Sequence, residues 1–459
     1  MKTSSRAVRH TARPISARDL AATVLFRVDA GGAFANILLH QLLDESRLSL
    51  ADAGLATEIV LGTLRYQARI DWTLAGSLRY RMEELPPRIR AILRSAIYQA
   101  LFLRVPARAA VHEAVALARQ YGHAGTASLV NAVLRRIAAE GERPLPSPER
   151  DPVERIAIEH SHPRWLVDRW VARWGQEDTV ALCRANNEPA PVMARVNILN
   201  ASPQEAVVHL AASGVTAYST PLAEGLRLEG SFSTRHDLVK RGWLTVQDLG
   251  AMVVTYALDP QPGETVIDAC AAPGGKATHI AERMRNQGKV MACDIHPGKL
   301  QSVSERAGVL GIDIIEAYHQ DARTLGRRWA GMADRLLIDA PCTGLGVVRR
   351  RPEIRWRVQS ADLETMATLQ LEILLGACDA VRVGGVLLYS VCSTEPDEGP
   401  AVIERFLRAR PDFARDPVLP IPEPLARRGS SPVGMITLLP HQHGTDGFFI
   451  TRLTRRHAE

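Results

Sequence analysis

The chain has 459 residues, enough for about three domains at roughly 150 residues each. Its hydrophobic content of 46% and charged content of 23% are ordinary for a folded globular protein and exclude a fibrous or low-complexity chain. A net charge of +6 suggests a polyanionic partner, and no apolar run approaches the roughly 20 residues of a membrane span.

Residues 1–15 carry Lys2, Arg6, Arg9 and Arg13 with no acid and no apolar stretch, so they read as a disordered basic arm rather than a secretory signal. Residues 16–142 read as helical throughout. Ala21, Val24, Leu25 and Val28, then Leu55, Ile59 and Leu64, recur at helical spacing. Pro86-Pro87 marks a helix start ahead of the apolar face Ile89, Ile92, Leu93, Ala96 and Ile97. The four prolines of residues 141–153 indicate a linker. Residues 154–243 read as a small α+β unit: a helix opening at Pro163 and running through Trp170 and Trp174, strands at 193–197 and 226–228, and a helix at 203–213. From 244 to 457 strands and helices alternate. Strands are expected at 265–268, 290–294, 314–318, 336–339 and 386–390, the pattern of a doubly wound parallel α/β sheet.

Three of those strands end in chemistry. The first runs into Asp268-Ala-Cys-Ala-Ala-Pro-Gly-Gly-Lys276, the fourth into Asp339-Ala-Pro-Cys342 and the fifth into Ser390-Val-Cys392-Ser393. In an open parallel sheet, ligands bind beyond the carboxyl ends of the strands, so all three segments converge on one cleft. Gly274 and Gly275 let the backbone approach a ligand, and Asp294, closing the second strand, is placed to grip ribose hydroxyls. Asp321, just past the third strand, could reach an adenine amino group or form an Asx-turn. The loop has neither GxGxxG nor GxxxxGK[ST], which favours a nucleoside cofactor without pyrophosphate, S-adenosylmethionine.

The six cysteines, 183, 270, 293, 342, 378 and 392, form no CxxC pair, so they suggest neither a metal site nor a disulfide framework. That fits a reducing, cytoplasmic setting. Cys183, Cys270, Cys293 and Cys378 read as packing thiols, and Cys342 and Cys392 as reactive ones. A thiolate adding to C6 of cytosine makes C5 nucleophilic enough to take a methyl group, and Asp339 is placed to face N3 and N4. Spacing alone leaves open which thiol attacks. Past Cys342, residues 349–357 hold Arg349, Arg350, Arg351, Arg355, Arg357 and Trp356, a composition suited to RNA phosphates and a stacked base.

Together these segments resemble the Nop2/Sun family of RNA cytosine-C5 methyltransferases. The loop 268–276, the Asp-Ala-Pro-Cys-Thr-Gly turn at 339–344, the Cys392-Ser393 pair and Phe448-Phe449 in Thr445-Asp-Gly-Phe-Phe match its motifs in order and spacing. One departure stands out: the family has an Asn-containing acidic run after its Cys-Ser motif, whereas this chain has Asp397-Glu398-Gly399. The resemblance implies Cys392 as nucleophile and Cys342 as the thiol assisting product release. It also implies a cofactor site of Cys270, Ala271, Ala272, Pro273, Gly274, Gly275, Lys276, Asp294, Asp321 and Asp339.

Residues 32–36, 56–65, 111–115 and 129–136 look like a NusB-type RNA-binding bundle. The fold then implied is multidomain: an all-α NusB-like bundle, a small α+β connecting domain and a Rossmann-like class I S-adenosylmethionine-dependent methyltransferase domain. Family members with this layout modify 16S rRNA, which implies that partner, cytosine 967 as target, free rRNA or an early small-subunit particle as substrate, and a monomer. A tRNA methyltransferase and a catalytically idle RNA-binding assembly factor are the alternatives. The idle factor predicts loss of a cofactor carboxylate or a motif cysteine, and none is lost.

Overall fold

The computed structural model describes residues 16–103, 105–426 and 434–457, so the basic arm expected over residues 1–15 lies outside them. The chain forms two compact units. One contains the chain up to Asn187 together with Arg351–Arg357; the other contains Glu188–Arg350 and Val358 onward.

The first unit is helical among the described residues. Helices span Ala17–Gly31, Ala35–Glu45, Leu50–Arg65, Gln67–Ser77, Pro87–Leu101, Ala107–Tyr121 and Ala124–Glu140. Their apolar stripes close two buried clusters, one around Leu20, Val24, Ile59 and Val60, the other around Ile92, Leu93, Ile97 and Val130. Pro87 does open a helix, where its missing N–H has no intrahelical partner to lose. Helices Pro152–Glu159 and Arg164–Asn187 belong to this unit as well, the second broken at Gly175, whose φ is +77°. These two helices lie in or beside the stretch 154–243 expected to connect the bundle to the catalytic domain, and the stretch beyond Asn187 belongs to the second unit.

Residues 351–357 are the other surprise. Arg355 is fully buried and donates to Ser161 O at 3.0 Å, Asn186 O at 3.1 Å and Asn187 Oδ1 at 2.7 Å. Trp356 donates its indole N–H to Leu64 O at 3.0 Å, Arg357 donates to Ala33 O, and the Ala35 amide donates to Glu353 Oε1 at 3.0 Å. Arg355 and Trp356 are thus internal anchors, not the RNA contacts their composition suggested.

The second unit has two sheets. In the smaller, β1 (Val192–Val196), β2 (Thr216–Ser219), β3 (Gly225–Glu229) and β4 (Leu244–Val246) pair antiparallel in the order β2-β3-β1-β4. The larger contains β5 (Thr265–Asp268), β6 (Lys289–Asp294), β7 (Ile315–His319), β8 (Ala333–Asp339), β9 (Val381–Val391), β10 (Phe413–Arg415), β11 (Met435–Leu438) and β12 (Phe448–Arg455). Its order is β10-β12-β9-β8-β5-β6-β7, with β11 also on β12. Strands β5 to β9 are mutually parallel and β10 to β12 pair antiparallel.

Alternate residues of the parallel strands feed opposite faces. Val266, Val290, Leu337 and Leu388 join one core, while Ile267, Met291, Leu336 and Leu387 join the other. Strand order reverses between β5 and β8, so a crevice opens at their carboxyl ends, where open α/β sheets hold ligands.

Buried residues tie the small sheet to the cofactor-loop helix Gly275–Arg283, among them Glu224, which precedes β3 and bonds His279 at 2.8 Å. Arg195 of β1 is fully buried and forms a double contact to Glu282 at 2.8 Å. It also reaches Gly275 O at 3.0 Å, Thr278 Oγ1 at 3.1 Å and Gln247 Oε1. Removing the guanidinium strands a buried carboxylate. Arg195→Met should destabilise the protein by about 3–5 kcal/mol in chemical denaturation, whereas the simultaneous Glu282→Leu should recover most of the loss.

Candidate active site

The cofactor loop leaves β5 at Asp268 and becomes a helix at Gly275. Gly274 between them has φ +97°, and a Cβ there would meet Val303 Cα at 3.1 Å, so only glycine makes this turn without strain. Asp268 is 1% exposed, and its carboxylate oxygens are buried without a well-formed hydrogen bond. Burial, with Asp339 adding to it, pushes its pKa up to about 7; Lys276 and the Cys270 amide only partly offset this.

Lys276 donates to Asp339 Oδ2 at 2.6 Å, and the Ser390 hydroxyl donates to Asp339 Oδ1 at 2.7 Å. Burial disfavours the Lys276 charge, but Asp339 outweighs it and holds the pKa above its usual value. The Lys276 ammonium also stands 5.4 Å from the centre of the Phe448 ring, within cation–π range. Asp294, at the end of β6, accepts the amides of His296 at 2.8 Å and Ala272 at 3.3 Å, which fixes it against the loop.

The two expected reactive thiols meet. Cys342 Sγ and Cys392 Sγ are 3.2 Å apart, both partly exposed, at the ends of β8 and β9. The bond to Cys392, then burial and the nearby charges, raise the Cys342 thiol well above its usual value. The remaining thiols behave as packing groups. Burial pushes Cys183 and Cys293 up to about 12 and Cys378 to about 11, and raises Cys270 strongly as well.

Asp321 lies on the neighbouring strand end, since the amide of Gln320 donates to Asp294 O at 3.1 Å. Its carboxylate is engaged locally: it caps the following turn through the Arg323 amide at 2.9 Å and pairs with the Arg323 guanidinium at 2.8 Å, which lowers its pKa. The Asx-turn is therefore formed.

Arg349 and Arg350, expected to meet RNA, are instead held by carboxylates of the protein. Arg349 Nε and Arg350 Nε donate to Asp446 at 2.7 and 2.6 Å, and Arg350 also pairs with Asp248 at 2.8 Å. Of the five arginines, Arg351 is exposed.

Sequence reasoning missed Ser390 as a partner of Asp339, and it missed the role of Glu398. The acid in Glu395-Pro-Asp-Glu398 was the available signal, but its partners are distant in sequence.

Comparison with known proteins now bears directly on this cleft. Residues 255–454 match the family model described as 16S rRNA methyltransferase RsmB/F, residues 15–139 match the NusB family, and residues 162–235 match the RsmF/B-like ferredoxin-like domain. A Bacillus subtilis (strain 168) protein named "Probable ribosomal RNA small subunit methyltransferase B" is 39% identical over 445 residues, covering 96% of this chain and 99% of its own. The chain belongs to the RsmB/F family of rRNA methyltransferases. The ribosomal RNA small subunit methyltransferase B of Pseudomonas putida (strain KT2440) is 36% identical over 438 residues, covering 95% of this chain and 97% of its own. The crystal structure of PH0851 superimposes with a TM-score of 0.81 at 28% identity, covering 96% of this chain and 98% of that one.

The RsmB/F cofactor is S-adenosylmethionine, and the residues present fit it. The loop turns at a glycine that permits close backbone approach, Asp294 ends β6 at the ribose position of such folds, and no phosphate-binding signature competes. Among the described residues no helix is long and apolar enough to cross a membrane.

Asp268 makes stability depend on pH. Its folded pKa is raised, so between pH 3.8 and about 7 the folded state holds a proton that the unfolded state has released, and stability falls as pH rises. Asp268→Asn removes that titration. The stability of Asp268→Asn relative to the parent should grow between pH 4 and 7, by up to roughly 4 kcal/mol, and level off above. Denaturant titrations at pH 4, 5.5, 7 and 8 check it; a constant difference would contradict the assignment.

Proposed function

We propose that this RsmB/F-type enzyme methylates C5 of a cytosine in 16S rRNA, cytosine 967 in particular, through a covalent bond between Cys392 and C6. The observation that carries the reading is the 3.2 Å thiol pair beside the Lys276–Asp339–Ser390 cluster. As Cys392 Sγ bonds to C6, electron density moves to C5, which forms the new carbon–carbon bond. S-adenosylmethionine supplies the methyl group as the electrophile. Asp339, oriented by Lys276 and Ser390, accepts the exocyclic N4–H, and a proton delivered to N3 from the Lys276–Asp339 pair takes up the charge that thiolate addition sends into the ring. A base then takes the C5 proton, the electron pair re-forms the C5–C6 double bond, and the S–C6 bond breaks. Across 3.2 Å either sulfur can donate to the other, so the second thiol can return a proton to the departing sulfur; the family resemblance gives that role to Cys342 and the attack to Cys392.

Cofactor binding in this reading rests on the loop Cys270–Lys276, Asp294 and Asp321. Asp294 has one oxygen on each of two backbone amides and retains lone pairs for both ribose hydroxyls. Asp294→Ala should weaken S-adenosylmethionine binding by about 1.5–3 kcal/mol; calorimetry on the folded variant giving unchanged affinity would remove Asp294 from the site.

The thiol roles separate cleanly. Cys392→Ala should abolish methylation and form no RNA adduct, whereas Cys342→Ala should accumulate a protein–RNA species that survives denaturing electrophoresis. An adduct with Cys392→Ala but not with Cys342→Ala would exchange the roles. Bisulfite mapping of 16S rRNA from a strain lacking the enzyme identifies the target base.

A further inference from the structure

Behind the thiol pair lies a fully buried carboxylate that the reaction above does not use. Glu398 is 0% exposed and lies in the turn that departs from the family pattern. Its Oε1 accepts the Thr343 amide at 2.8 Å and the Gln370 side-chain amide at 3.1 Å. Its Oε2 accepts the Thr343 hydroxyl and the Ser393 hydroxyl, each at 2.5 Å. Thr343 directly follows Cys342, and Ser393 directly follows Cys392.

Other bonds hold the carboxylate itself in place. Tyr389 of β9 donates to Glu398 O at 2.7 Å, and Gln370 also donates to Pro341 O at 3.0 Å. Gly399 completes the turn because the Phe449 ring fills the space where a side chain would sit: a Cβ would lie 2.9 Å from Phe449 Cγ. A glycine at 399 therefore matches this packing.

We propose that Glu398 is the positioning residue that locks the two cysteine-bearing turns together and thereby sets the separation of the thiols. All four donors to it are neutral, and they come from the two turns and from the helix Ser360–Ala377 beneath them. The β8 and β9 turns are joined through their backbones at Ala340–Ser390 and Gly346–Cys392; an acceptor shared by the residue after each cysteine adds the side-chain constraint next to the thiols themselves. The charge beside Cys342 also raises its thiol. The inference rests on the cysteine-pair reading for its catalytic consequence, but the geometric claim stands apart from it.

Two measurements on the full-length protein test it. The first is the affinity of phenylarsine oxide, which condenses with two suitably spaced thiols to form two As–S bonds and release water. It reads thiol spacing without any methyl transfer, and Cys342→Ala should abolish it. The second is steady-state methylation of rRNA. Glu398→Ala should weaken arsenical binding by at least about tenfold and lower kcat about a hundredfold, with KM for RNA and for S-adenosylmethionine within about threefold.

Glu398→Gln keeps an oxygen for the two amide donors and an NH2 to which both hydroxyls can turn their lone pairs. It should restore arsenical affinity and recover kcat to within about tenfold of the parent. If Glu398→Ala does not fold, Thr343→Val and Ser393→Ala each remove one strap and should each weaken arsenical binding. Unchanged arsenical affinity in folded Glu398→Ala, or in both Thr343→Val and Ser393→Ala, would overturn the proposal. So would a Glu398→Gln protein as impaired as Glu398→Ala, because charge rather than geometry would then govern. Should the chemistry on cytosine fail while arsenical affinity follows the pattern, the clamp holds and the functional reading falls.

Discussion

The parallel pairing of β8 with β9 sets Asp339 opposite Ser390, and the Ala340 amide donates to Ser390 O at 2.9 Å just as the strands diverge. From that point each chain needs two or three more residues to reach its cysteine. Because side chains alternate across a strand, a slip of one residue would turn Asp339 away from Ser390 and send the β9 core residues to the wrong face. The buried runs Leu336–Ile338 and Leu387–Tyr389 fix the register through both cores at once. The chemistry at the strand ends inherits its precision from hydrophobic packing several residues away.

A second constraint acts on charge. Asp268, Lys276 and Asp339 crowd two carboxylates and one ammonium at the switch point of the sheet. The cation pairs directly with Asp339, which leaves Asp268 to bear the cost of burial. A site arranged in this way presents nearly compensated charge to the cleft rather than a bare carboxylate. Phe448 covers the ammonium and limits how far it can follow solvent.

The strands that end at the site were legible because parallel, doubly covered strands read as short apolar runs. The convergence of the loop, the two cysteines and Asp294 followed from fold geometry alone. Short edge strands were not legible: Phe413–Arg415 and Leu244–Val246 are too brief to show alternation. The arginine cluster misled for a different reason. Composition records charge but not its partner, and Arg349 and Arg350 find theirs at Asp446 and Asp248, about a hundred residues away in either direction. Glu398 stood out as a departure, but its partners were hidden on the same grounds, since Thr343 lies 55 residues before it.

Residues 351–357 give the molecule an unusual connectivity. The chain departs from the catalytic unit shortly after Cys342, contributes Glu353, Arg355 and Trp356 to the helical unit, and returns at Val358. During synthesis the helical segment emerges first, yet the carbonyls of Ser161 and Asn186 that await Arg355 gain their partner only once much of the catalytic sheet has been translated. A break after Asn187 would release a helical fragment lacking one of its own buried cations. The two units are therefore not exchangeable cassettes: any recombination that moved the bundle to another enzyme would have to carry along a seven-residue insert from the middle of the methyltransferase.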